Sequence, residues 1–127
     1  MKKICSENQI SAKIPGYIPE GFKADADYCD ISNLSHSTMI TFYFEKQDKK
    51  LNYSITQLHD NSDSFPIGIP TDHYEISEQK IADTTITVMK EDMQYTAIFI
   101  IDLTQYLLYT DHLDYDECQR ILYSIFE

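Results

Sequence analysis

The 127-residue chain is the size of one domain, and its 43% hydrophobic content is enough for a core. Its net charge of −11, from 21 acidic against 10 basic residues, leaves no basic footprint for nucleic acid or an anionic lipid surface. Four prolines and three glycines are too few for a disordered chain, and no apolar run is long enough to span a bilayer. Ten Tyr and six Phe favour pleated, half-buried surfaces, which means β structure.

Residues 1–13 are polar and are expected to form a flexible N-terminal segment. Met1-Lys2-Lys3-Ile4-Cys5 looks like the start of a secretory leader, but Ser6, Glu7, Asn8 and Gln9 stand where an apolar stretch would follow. The protein is therefore either cytoplasmic or carried by a leader or anchor outside this sequence. Pro15, Gly16, Pro19 and Gly21 then punctuate Ile14–Phe22, which cannot be regular helix or central strand. It reads as a fixed, extended lead-in whose Tyr17, Ile18 and Phe22 pack, and a single domain is expected over 14–127.

A first strand is expected over Phe22–Asp30, followed by a turn cluster, Asn33 to Ser37. Thr38–Lys46 alternates, with Ile40, Phe42 and Phe44 on one face, and Leu51–Leu58 alternates again. Gln47-Asp48-Lys49-Lys50 joins them into a hairpin. His59–Asp72 is an irregular middle. Strands are then expected over Tyr74–Ile81, Thr84–Lys90, Gln94–Asp102 and Gln105–Thr110. Tyr95–Ile101 is apolar on both parities, so that strand is expected to be central and covered on both faces. Asp114 is an N-cap signal, with Asp116 and Glu117 in the first turn. Tyr115, Cys118, Ile121, Leu122 and Ile125 fall on one helical face. The expected fold is α+β: a twisted antiparallel sheet of about six to seven strands packed against one C-terminal amphipathic helix.

The lead-in Tyr17-Ile18-Pro19-Glu20-Gly21-Phe22, the second hairpin strand with Ile55-Thr56-Gln57, and the final Leu113-Asp114-Tyr115-Asp116-Glu117-Cys118-Gln119-Arg120-Ile121-Leu122-Tyr123-Ser124-Ile125 carry a resemblance. Over about residues 14–126 the chain resembles the bacterial domain of unknown function four-three-six-seven. That family often forms the extracytoplasmic part of anti-sigma-factor-like membrane proteins or lipoproteins. The resemblance implies an extracytoplasmic, membrane-anchored protein and supplies no catalytic residues. It also marks two departures: Lys80-Ile81-Ala82-Asp83 where relatives place a glycine, and Phe99 in place of a central tryptophan.

No residue set reads as catalytic, cofactor-binding or metal-binding. His36, His59, His73 and His112 are dispersed, with neither an HExxH motif nor an i, i+4 pair. His59 with Asp60 and Asp63, and His112 with Asp111 and Asp114, read as surface loops. Asp60-Asn61-Ser62-Asp63 fails the calcium-loop pattern, with Phe65 and Thr71 at its glycine and glutamate places. Cys5, Cys29 and Cys118 form no CxxC pair, and a Cys29–Cys118 disulfide needs Cα atoms within ~7 Å. Ser54, Ser64 and Ser77 lack a nucleophile-elbow context. The abundant tyrosines favour a binding role. The expected function is a non-enzymatic extracytoplasmic sensing or protein-interaction module, meeting a neutral or basic protein surface through exposed tyrosines. A carrier of a small hydrophobic ligand is the alternative, and a small hydrolase comes third. A filled core with a tyrosine-rich face points to the first; a pocket with converging polar groups points to the others.

Overall fold

The computed structural model describes residues 1–23, 29–59 and 75–127. Seven strands form one open antiparallel sheet: β1 Cys29–Asn33, β2 Ser37–Lys46, β3 Lys49–Leu58, β4 Glu75–Ile81, β5 Thr84–Glu91, β6 Gln94–Ile101 and β7 Thr104–Asp111. Helices are α1 Lys2–Glu7 and α2 Tyr115–Ile125. The spatial order β1-β2-β3-β7-β6-β5-β4 makes two meanders, joined where β3 pairs with β7 through Tyr53↔Leu108 and Ile55↔Tyr106. The fold is α+β, as the alternation and the last helix predict.

Alternation also fixes which face is inside. Ile40, Phe42 and Phe44 on β2, Leu51, Tyr53 and Ile55 on β3, and Tyr106 and Leu108 on β7 share one buried face. On α2 the residues Cys118, Ile121, Leu122 and Ile125 are buried against it. Asp114 caps the helix by accepting the Glu117 N–H at 2.8 Å. Tyr115 is the exception on that stripe. It is 49% exposed, because the first turn lies beyond the sheet and meets Tyr95 edge-on instead of entering the core.

Several expected boundaries move. The first connection is a two-residue turn, Gln47-Asp48, so Lys49 and Lys50 belong to β3. β1 begins at Cys29 and runs to Asn33; Lys23 makes an isolated bridge to Glu45, and the intervening part of the expected first strand lies outside the described residues. So do Tyr74 and almost all of the irregular middle. β7 holds the centre of the sheet, with β6 beside it. Tyr95 to Phe99 are buried on both parities, but Ile100 is 51% exposed. The turn Ala82-Asp83 has φ of 49° and 65°, so the left-handed backbone that glycine takes without strain is here imposed on two other residues.

The segment expected to be flexible has a definite place. Residues 2–7 form α1, and Cys5 and Ile10 are buried. The strap that follows crosses the inner face and shares it with α2. Tyr53 donates its hydroxyl to the Lys13 carbonyl at 2.8 Å, and the Lys13 N–H donates to the Tyr106 hydroxyl at 3.1 Å. Two buried phenols thus bind both backbone groups of one strap residue. Gly16 N–H reaches the Ser124 carbonyl on α2, and Tyr17 donates to Glu117 at 2.8 Å with Arg120 over its ring. The strap closes with the turn Pro19-Glu20-Gly21-Phe22, in which the Phe22 N–H meets the Pro19 carbonyl and Gly21 sits at φ +89°. Glycine is required there because a type II turn needs positive φ at its third residue.

Burial pushes the phenols of Tyr53, Tyr95 and Tyr106 above the ordinary tyrosine range. The folded state holds these protons more tightly than the unfolded chain. Below about pH 10 both states keep them and the stabilisation is complete; above it the unfolded chain ionises first and stability falls. Phenolate absorbance should therefore rise first for the exposed tyrosines, then in a cooperative step coincident with unfolding. A single smooth titration of all ten, with the fold intact, would contradict this burial.

Candidate interaction site

The β5–β6 turn and the start of α2 meet at one end of the sheet. Asp92 takes the left-handed conformation of a two-residue turn at φ 50°, which leaves Met93 at the tip, 50% exposed. Beyond β7, His112 turns at φ 65° and donates its N–H to the Met93 carbonyl at 3.0 Å. That bond ties the hairpin tip to the loop that starts α2, and Leu113 anchors the loop in the core.

Between them lies a largely apolar cleft of about 280 Å³, lined by Lys90, Met93, Tyr95, Leu113, Tyr115 and Cys118 among others. Its walls are held by defined contacts. The Lys90 ammonium stands 3.8 Å above the centre of the Tyr115 ring, and Tyr115 meets Tyr95 in a T-shaped contact at 6.0 Å. The Tyr95 hydroxyl accepts from the Gln119 amide at 3.1 Å, and Gln119 exchanges hydrogen bonds with Gln79 on β4. Cys118 is buried at the base, 3.1 Å from the Thr110 hydroxyl, and burial pushes its thiol up. That disfavours the thiolate a nucleophile needs.

The rim is acidic. A second cleft of about 390 Å³ on the other side of the turn is lined by Glu91, Asp92, Met93, Gln94, Asp111 and His112. His112 Nδ1 lies 3.0 Å from Asp111. Asp92 and Asp114, the helix cap, line the Met93–Tyr115 cleft itself, Glu91 and Asp111 line the neighbouring one, and Lys90 is engaged by the Tyr115 ring. Tyr123, two turns along α2, is also half exposed.

This arrangement can hold an apolar side chain between Met93 and Tyr115 while positive charges meet the rim. The family whose model matches residues 12–125 is described as Domain of unknown function (DUF4367). The chain belongs to this family. Comparisons with curated proteins and with solved structures give no match. In this DUF4367 domain the resemblance read from the strap and helix motifs now has a physical content. The Pro-Glu-Gly-Phe motif is the turn that ends the strap, and the helix pattern is its partner across the inner face.

Other sequence candidates are not assembled. His59 Nε2 lies 2.9 Å from the Thr38 hydroxyl and His36 accepts the His59 N–H, at the opposite end of the sheet from His112. His73, Asp60, Asp63 and Ser64 lie outside the described residues. Among the described residues no three His, Cys, Asp or Glu side chains gather as a metal site. Ser54 is 3.0 Å from the Thr41 hydroxyl, and Ser77 lies on the exposed strand β4. All three cysteines are free. Cys29 starts β1, whereas Cys118 sits over β7, three strand spacings away, roughly 14 Å at the usual interval. That exceeds the span of a disulfide. Sequence reading missed Met93 and Lys90. The available signal was an apolar methionine at the tip of a two-residue turn, where polar residues are the rule.

Proposed function

We propose that this DUF4367 domain is a non-enzymatic sensing or protein-interaction module, the extracytoplasmic part of a membrane-anchored regulator or lipoprotein. Its partner presents a neutral or basic surface with an apolar anchor. The observation that carries this reading is the half-exposed Met93 and Tyr115 pair, which flanks an apolar cleft inside an acidic rim. Methionine and tyrosine are enriched in interface centres, and opposed charge on the rim guides encounter. The inner face supports the module over a carrier. Among the described residues Tyr53, Phe99, Ile40, Leu51, Ile121 and Leu122 are fully buried there, as packed core side chains are.

The full-length protein, as wild type and as Met93→Ala/Tyr115→Ala, is to be isolated from its own cells and the co-purifying proteins quantified. A partner anchored in this cleft is expected to fall by roughly tenfold or more with the double variant, the loss of one interface hot spot. Identical partner profiles would overturn the reading. Protease added to intact cells tests the location: digestion of the domain is expected, and protection would place it inside.

A further inference from the structure

β4 ends the sheet, and among the described residues no strand lies on its other side. Glu75 to Glu78 and Lys80 are exposed along it. An exposed apolar residue flanks this edge on each face. Ile76, which pairs with Met89, is 42% exposed on the outer side. On the inner side Gln79 exchanges hydrogen bonds with Gln119 of α2. Tyr123, one turn farther along the same helix face, is 47% exposed.

An unpaired edge is a template for another strand, and charged side chains ordinarily guard it. Here the order of the charges matters. The two-residue turn Ala82-Asp83 joins Ile81 to Thr84, and such a turn closes with a backbone bond between its flanking residues. Ile81, Gln79 and Ser77 therefore turn their backbone groups to β5, whereas Ile76, Glu78 and Lys80 turn theirs to the open edge. Two copies of one strand pair antiparallel about a two-fold axis through a single residue. An axis at Glu78 sets two carboxylates face to face, and one at Lys80 sets two ammonium groups so. An axis at Ser77 puts Glu78 opposite Ile76 and leaves Lys80 unmatched. An axis at Gln79 puts Glu78 of each copy opposite Lys80 of the other, at the positions whose backbone groups face the edge. Ser77 then meets Ile81, and Ile76 covers Ala82. Opposite charges at facing positions stabilise a strand pair, and like charges oppose it. β1, the other edge, has no basic residue to face its Asp30.

We propose that β4 is a self-association surface: two copies of this chain pair their β4 strands antiparallel about Gln79 and join their sheets into one. The contact uses the same patch on both copies, so it closes as a dimer and does not propagate. The net charge of −11 on each copy makes the dimer a weak one. Met93 and Tyr115 take no part in it.

The whole chain is to be followed by sedimentation velocity from about 10 μM to 1 mM, as wild type, as Glu78→Lys, as Lys80→Glu, and as an equimolar mixture of the two variants. The wild type is expected to form a reversible dimer within that range. Either variant alone puts like charges at both facing pairs and should weaken dimerisation by roughly tenfold or more. Their mixture restores both pairs and should associate as a one-to-one heterodimer. Amide exchange at Glu78 and Lys80 should slow as the wild type associates, while that of β1 stays unchanged. If a variant fails to fold, the wild-type exchange pattern decides alone. A wild type that stays monomeric to the top of that range, a dimer that both variants leave intact, or a mixture that stays monomeric would overturn the pairing. So would a dimer lost on Met93→Ala/Tyr115→Ala, which would place self-association at the cleft instead.

Discussion

Removing residues 1–13 is expected to lower the melting temperature by roughly 10–25 °C, at about 4 °C per kcal/mol for a domain of this size. The truncation takes away buried Cys5 and Ile10, and loss of one large aliphatic core side chain alone costs ~2–5 kcal/mol. It also leaves the Tyr53 and Tyr106 hydroxyls without the Lys13 backbone they bind, and orphaning buried polar groups costs ~1–3 kcal/mol. Ile10→Ala should reproduce part of the loss. An unchanged transition would mean that the strap is peripheral and that α2 alone closes the sheet.

Leu122→Ala is expected to destabilise by ~2–5 kcal/mol, or roughly 8–20 °C. Leu122 is fully buried in the middle of α2 with Ile121 and Cys118, where the surrounding sheet leaves little room to collapse into the space. For a domain whose whole stability is ~5–15 kcal/mol, that is a large share. Thermal unfolding followed by circular dichroism measures it. A shift of a degree or two would show that α2 lies loosely on the sheet.

Legibility followed the range of the forces involved. Period-two alternation in Thr38–Lys46 and Leu51–Leu58 gave the β2–β3 hairpin and its inner face, because each side chain's direction is local. Asp114 and the apolar spacing of α2 were legible for the same reason. The strap was not. Cys5 and Ile10 stand among many polar residues, and what buries them is the distant core of the sheet and α2, to which Tyr53 and Tyr106 tie the strap through Lys13. The tyrosines divide into buried clamps such as Tyr53 and exposed ones such as Tyr115, a split that composition does not reveal. The candidate cleft was not visible either. It comes from a hairpin tip, Met93, meeting a helix start, Tyr115.

The most direct test of the interaction site places a photoreactive side chain at position 93 or, as a control, at position 49 on the β2–β3 hairpin, in the full-length protein in its own cells. Irradiation is predicted to give a discrete cross-link from position 93 to one protein. It should be absent from position 49 and lost when Tyr115→Ala and Asp92→Lys are added. Equal cross-linking from both positions, or a position-93 adduct that survives those two substitutions, would contradict docking at this cleft.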